Sequence, residues 1–291
     1  MEHKGGLPVE VLPVENGREV AYYVYAVART RGHWEPGAPP DQAILPQAPI
    51  YTLAYQDLVA LVSPVPVAEF GPPALEAHLE DAGWTRDRVV AHQTVLAALL
   101  TDYTLIPFKF CTLYRSEERV QAMLARHYEA LECSLQRLAG ATEWGVKLYY
   151  DRKTLTGWLA SSAEVLQPLR ETITRAPQGA GYFLRKKLAQ AAQEAAEGMV
   201  AGWVQESHQR LADSAREAVV NPLQPPQVHG RADEMVLNGA YLVDDEAEET
   251  FRAVLAELAD GSAARGLQYE LTGPWPPYNF ADLDLQEIPD E

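Results

Sequence analysis

The run Met235-Val236-Leu237-Asn238-Gly239-Ala240-Tyr241-Leu242-Val243 decides how the second half of this chain folds. Asn-Gly between apolar runs is the strongest short hairpin signal, because both residues tolerate the positive φ that a tight turn requires. A turn there leaves two arms too short to hold a sheet together. It also removes the strand that Leu267 to Leu271 needs as a partner. The run is therefore read as one uninterrupted strand, with a turn at Asn238-Gly239 as the alternative.

Working outward from it, Trp144 to Tyr150 alternates as a strand, with Val146, Leu148 and Tyr150 set against Lys147 and Tyr149. A short helical stretch follows, then a break at Pro177 to Gly181, then a helix from Tyr182 to Val219. Leu184, Leu188, Ala195, Met199 and Trp203 share one side of that helix and charged residues the other. Gly198 and Gly202, spaced as a small-residue pair in a polar neighbourhood, predict a kink or a close helix contact. After the Met235 run, Asp244 and Asp245 precede a helix with Phe251, Val254, Leu255 and Leu258 facing inward. Glu246, Glu248 and Glu249 in its first turns fit capping and the helix dipole better than a cation site, because calcium-loop spacing is absent. Strand, long helix, strand pair, helix, strand is the split βαβ order of a ferredoxin-like unit.

The first half reads as a mixed α/β domain. Val20 to Ala28 is a β-branched and aromatic strand. Arg29 to Pro49 carries seven glycines and prolines, Gly32, Pro36, Gly37, Pro39, Pro40, Pro46 and Pro49, which predicts a long loop. Ile50 to Tyr55 and Leu58 to Val62, split by Gln56-Asp57, predict a hairpin that Pro64 and Pro66 terminate. In the helical region that follows, Val89, Leu96, Leu99 and Tyr103 form a stripe. His92 lies on it, and a core histidine with satisfied ring nitrogens explains it better than catalysis, since no acid or nucleophile is placed beside it. Leu105 to Tyr114 reads as one buried strand. Ser116, Glu117 and Glu118 open a helix whose stripe is Val120, Leu124, Tyr128, Leu131, Leu135 and Leu138, and Gly140 ends it in a left-handed cap. The fold class is thus α+β in two domains: a loose segment over residues 1–19, an N-terminal domain over 20–140, a ferredoxin-like domain over 141–280 with its long helix 182–219, and an acidic tail over 281–291.

Composition narrows the function classes. With 24 Lys and Arg against 41 Asp and Glu, the net charge of −17 repels nucleic-acid backbones and anionic lipid, and no apolar run approaches the length of a membrane span. The first eight residues lack an apolar stretch and cleavage site, so a cytoplasmic location is expected. Cys111 and Cys133 have no partner at metal-ligand spacing and read as reduced thiols. No nucleophile elbow, Walker loop, dinucleotide fingerprint or zinc spacing occurs. Gly179-Ala180-Gly181 before Arg185, Lys186 and Lys187 lacks the glycine pattern and preceding strand of a phosphate cradle and reads as a helix start. No enzyme, cofactor or metal is therefore expected. The segment Gly273-Pro274-Trp275-Pro276-Pro277-Tyr278-Asn279-Phe280 hangs rigid aromatics on a proline-fixed backbone, which suits either a sealed sheet edge or a partner-binding surface.

Five of these segments together resemble the gas vesicle GvpF/GvpL family. They are Leu105-Ile106-Pro107-Phe108-Lys109-Phe110-Cys111-Thr112-Leu113-Tyr114, Glu143-Trp144-Gly145-Val146-Lys147, Gly181-Tyr182-Phe183-Leu184-Arg185-Lys186-Lys187, Asn238-Gly239-Ala240-Tyr241-Leu242-Val243 and Gly273 to Phe280. Lys109 and Cys111 depart from the Arg and Gly more usual in that family, and an F-like and an L-like assignment both stay open. The resemblance implies an accessory or minor structural protein of the gas vesicle that binds the small hydrophobic shell protein, and possibly other accessory proteins, and keeps it from pairing unproductively before assembly. Phe108, Phe110, Trp275 and Tyr278 are the candidate protein-binding residues. A small-ligand regulatory module built on the ferredoxin-like unit is the alternative.

Overall fold

The computed structural model describes residues 14–15, 18–29, 43–46, 48–162, 164–176 and 181–281. The expected loop over 29–49 and the two terminal segments fall largely outside them. The chain is α+β and divides into two compact units, one running to Gly140 and taking back the chain from Pro276, the other spanning Ala141–Trp275. The expected boundary at residue 280 therefore moves to 275. Residues 276–281 belong with the N-terminal unit, where Tyr278 packs on the core and the Arg137 guanidinium donates to the Phe280 carbonyl.

The first unit contains β1 (Val14–Glu15), β2 (Arg18–Arg29), β3 (Tyr51–Tyr55), β4 (Leu58–Pro66), α1 (Val67–Phe70), α2 (Pro72–Glu80), α3 (Ala82–Leu100), β5 (Leu105–Pro107), β6 (Leu113–Tyr114), α4 (Glu117–Arg126) and α5 (Tyr128–Leu138). Its antiparallel sheet runs β1-β2-β4-β3, with β5 and β6 both on β2. Gln56, at φ 54°, makes the expected two-residue turn between β3 and β4. Strand β4 does not stop at Pro64: it continues beside β2 to Pro66, pairing Pro64 with Tyr22 and Pro66 with Val20. Strand β3 reaches only Val62, so among the described residues the missing proline donors face an edge with no ladder to lose. Both faces of β2 are buried. Ala21, Tyr23 and Tyr25 pack on Phe70, Leu75, Val95, Leu96 and Leu99, while Tyr22, Val24 and Val27 are covered from the other side.

Two expectations for this unit are corrected. Leu105 to Tyr114 is not one strand but β5 and β6 joined by a loop, which is tied down where Phe108 N–H donates to Tyr25 (2.9 Å) and Val24 N–H donates to the Thr112 carbonyl (3.0 Å). The loop forms because Cys111 takes a positive φ of 63° and Thr112 closes a turn on the Lys109 carbonyl. The helix over 117–138 is two helices, broken at His127 (φ −105°, ψ 14°), so one apolar stripe is divided between two axes. Ser116 caps the first as expected, its hydroxyl accepting from Arg119 N–H at 3.3 Å, and Gly140 has a left-handed φ of 67°.

The second unit contains β7 (Ala141–Tyr150), α6 (Arg152–Ser162), α7 (Gln167–Arg175), α8 (Gly181–Ala212), β8 (Glu217–Val220), α9 (Pro226–His229), β9 (Glu234–Asp244), α10 (Glu248–Ala259) and β10 (Leu267–Trp275). The four strands are antiparallel in the order β10-β7-β9-β8. Trp144, Val146 and Leu148 of β7, Leu237, Tyr241 and Val243 of β9 and Leu267 of β10 share one face and pack on α6, α8 and α10.

Strand β9 is uninterrupted, with Gly239 paired to Val146 on one side and Val220 on the other. Its glycine answers a packing need. A Cβ at Gly239 would lie 2.5 Å from the Tyr241 hydroxyl and 2.6 Å from its ring, because that ring folds back over position 239 and its hydroxyl bonds His208 Nδ1 at 3.1 Å. Three other expectations are overturned. The long helix ends at Ala212, and Glu217–Val220 is a strand, the first member of the expected pair. Strand β10 pairs with β7 and not with the Met235 run. Helix α8 passes through Gly198 and Gly202 without a break, and a Cβ at either would meet nothing within 4 Å, so they mark no close contact.

Candidate functional site

The polar group most like a catalytic centre lies in the first unit, where α3 delivers His92 to the buried face of β2. His92 Nδ1 is 2.8 Å from the Tyr23 hydroxyl and Nε2 is 2.8 Å from the Tyr278 hydroxyl, which also accepts from Gln93 Nε2 at 3.3 Å. Tyr23 accepts from Cys111 N–H (3.3 Å), and neighbouring Tyr25 contacts Ser63 and accepts from Ile44 N–H. The imidazole stacks on Tyr25 at 5.9 Å and meets Phe110 edge-on at 6.1 Å. Burial pushes His92 down to about 4, only partly opposed by a hydrogen bond to the Phe108 backbone, so the ring is neutral at pH 7. Burial also holds the Tyr23 phenol well above its ordinary range and the Cys111 thiol up at about 12. A neutral imidazole between two phenols, beside a thiol that does not ionise, offers neither a base with an acid partner nor a nucleophile. The cluster is a hydrogen-bonded core.

Two of the four candidate binding residues, Phe110 and Tyr278, pack against this core. Phe108 is buried, Phe110 and Tyr278 are half-buried against it, and Tyr278 spends its hydroxyl on His92. Trp275 belongs to the second unit, at the end of β10. The residue is 44% exposed, and its indole N–H donates to Thr272 Oγ1 at 3.1 Å.

An exposed apolar surface lies along β8 and the chain after it, where the sequence reading ran the long helix on to Val219. Strand β8 is the outer strand of its sheet, paired with β9 on one side only among the described residues. Asn221 donates its N–H inward to the Asn238 carbonyl at 2.7 Å, so the two-residue period turns the N–H and C=O groups of Val220 and Ala218 outward. Beside this edge Val220 is 54% exposed, followed by Leu223 at 53% and Val228 at 65%. Pro222, Pro225 and Pro226 follow and limit the ladder to a short stretch. The signal that could have found the strand is Val219-Val220 before Asn221-Pro222: a β-branched pair running into a helix breaker. Chemically, such an edge can hold an extended peptide by backbone hydrogen bonds and by its apolar side chains, without making or breaking a covalent bond. Among the described residues no group of three or more His, Cys, Asp or Glu is placed to hold a metal ion, and no helix is long and apolar enough to cross a membrane.

The model of the family described as gas vesicle synthesis protein GvpL/GvpF matches residues 21–282. Gas vesicle protein L of Streptomyces sp. (strain CB03234) is 30% identical over 273 residues, covering 91% of this chain and 94% of that protein. Gas vesicle protein F of the same organism is 26% identical over 262 residues, covering 89% and 99%. The crystal structure of the gas vesicle protein GvpF from Anabaena sp. PCC7120 superposes with a TM-score of 0.64 at 19% identity, covering 91% of this chain and all of that one, and so shares its fold.

Proposed function

The chain belongs to the gas vesicle synthesis protein GvpL/GvpF family, and from that premise we propose that it is a non-catalytic assembly protein that docks an extended segment of the small hydrophobic shell subunit on the open edge of β8. The reading places it in the cytoplasm and at the growing vesicle. The observation that carries it is the outward-facing backbone of Val220 and Ala218 beside exposed Val220, Leu223 and Val228, on a protein whose charge of −17 keeps the rest of its surface soluble. A short apolar subunit with unpaired strand edges aggregates unless those edges are covered, and a strand edge is the complement they require. Trp275 is the exposed aromatic of the candidate set, with surface to add; Phe108 is buried, and Phe110 and Tyr278 pack on the core of the first unit. The strand order β10-β7-β9-β8 with helices on one face supports reading the second unit as ferredoxin-like, which puts β8 at an edge.

The test is the aggregation lag of purified shell subunit followed by light scattering. An equimolar amount of this chain should lengthen the lag, and the double variant Val219→Lys/Val220→Lys should lose that effect while melting at the wild-type temperature. An identical lag with and without the wild-type chain rules the proposal out.

A further inference from the structure

Helix α8 opens with the most exposed aromatic pair of the described residues. Tyr182 and Phe183 are each 75% exposed, next to Leu184 and Leu188, which turn toward the protein. One turn further on stand Arg185, Lys186 and Lys187, all exposed, and no ion pair to any of the three is formed among the described residues. At helical spacing Lys186 lies beside Tyr182 and Phe183, and Lys187 lies beside Phe183, so each aromatic has cations one turn away. No Asp or Glu occurs from Thr172 to Gln193. In a chain of net charge −17 this is a segregated basic and aromatic patch. A solvated helix face calls for the cations but not for two neighbouring, uncovered aromatic rings.

The same sequence contains a segment of complementary chemistry. Residues 282–291, Asp-Leu-Asp-Leu-Gln-Glu-Ile-Pro-Asp-Glu, carry acids at Asp282, Asp284, Glu287, Asp290 and Glu291 around the aliphatic Leu283, Leu285 and Ile288. They hold no Lys or Arg to oppose the patch. We propose that Tyr182, Phe183, Arg185, Lys186 and Lys187 form a docking surface for residues 282–291 of a second copy of this chain. The acids pair with the three cations, and the aliphatic side chains cover the aromatic rings. Donor and acceptor surfaces differ, so the contact is head-to-tail, and each copy bound still offers one of each. The proposal uses none of the β8 residues and stands independently of the shell-subunit reading.

Sedimentation velocity on the full chain tests it. The weight-average mass should rise with protein concentration at low salt and fall back toward the monomer as salt screens the charges. Three variants should each weaken association at least about tenfold: Arg185→Glu/Lys186→Glu/Lys187→Glu, Tyr182→Ser/Phe183→Ser, and a chain ending at Ala281. All substituted positions are exposed, so wild-type melting temperatures are expected. A synthetic peptide of residues 282–291 should dissociate the assemblies, and the same peptide with Asn and Gln for its acids should not. A monomer at every concentration overturns the proposal. So does peptide binding to the shortened chain without association of the full one, which assigns the patch to the segment of the same molecule. Association that survives all three variants overturns it as well.

Discussion

Lowering the pH should destabilise this protein through His92, and the size of the effect follows from the burial of one ring. The imidazole titrates at about 4 in the fold against 6.5 for an unperturbed histidine, so between these values the unfolded chain binds a proton that the folded chain refuses. A depressed histidine pKa means that stability rises with pH. The contribution is complete above about 6.5 and drains away as pH falls toward 4. Two and a half pKa units correspond to about 3 kcal/mol in all, and the part lost between pH 7 and pH 5 is about 2 kcal/mol. Urea unfolding followed by tryptophan fluorescence at the two pH values measures it. Carboxylates elsewhere add their own pH dependence, which His92→Gln separates, since Gln can still bond Tyr23 or Tyr278 but does not titrate. The wild type should lose about 2 kcal/mol more than the variant between pH 7 and pH 5. Equal losses in the two proteins would mean that the ring accepts its proton inside the fold, and the description of a dry, neutral His92 between Tyr23 and Tyr278 would be wrong.

Other expectations test the packing. Gly239→Ala should cost about 1–3 kcal/mol, because the new methyl displaces the Tyr241 ring and its bond to His208; thermal melting measures this, and an unchanged midpoint counts against the close approach. Ser116→Ala should cost about 1 kcal/mol through loss of the cap on α4, again read from denaturation. In the native protein a thiol reagent should modify exposed Cys133 and leave Cys111, whose thiol burial pushes up to about 12, with both reacting in denaturant. Rapid labelling of both in the native state contradicts the placement of Cys111.

Much of the architecture is written locally. The run from Val20 to Ala28, the Gln56-Asp57 turn, the Ser116 cap and the α10 stripe are each specified by residues within one or two turns of one another, so a single sequence suffices to read them. Family membership is legible for the same reason, in five short segments. The elements that were misread depend on distant partners. Whether Leu105 to Tyr114 is a strand or a loop is decided by where β2 accepts its hydrogen bonds. Whether Glu217 to Val220 continues a helix is decided by the empty edge of β9.

The candidate surface follows this division. Phe108, Phe110 and Tyr278 are aromatics on stiff backbone, a description that fits a docking surface and a core equally well. Only the folded chain decides: Tyr278 returns to His92 across 186 positions of sequence, Phe110 packs on the same core, and Phe108 is buried. Sequence by itself determined the composition, the helical and strand periods and the caps, because these arise from contacts between near neighbours. Tertiary structure alone decided which apolar side chains stay in water, because burial is a property of the surface left over after all the strands and helices have found their partners.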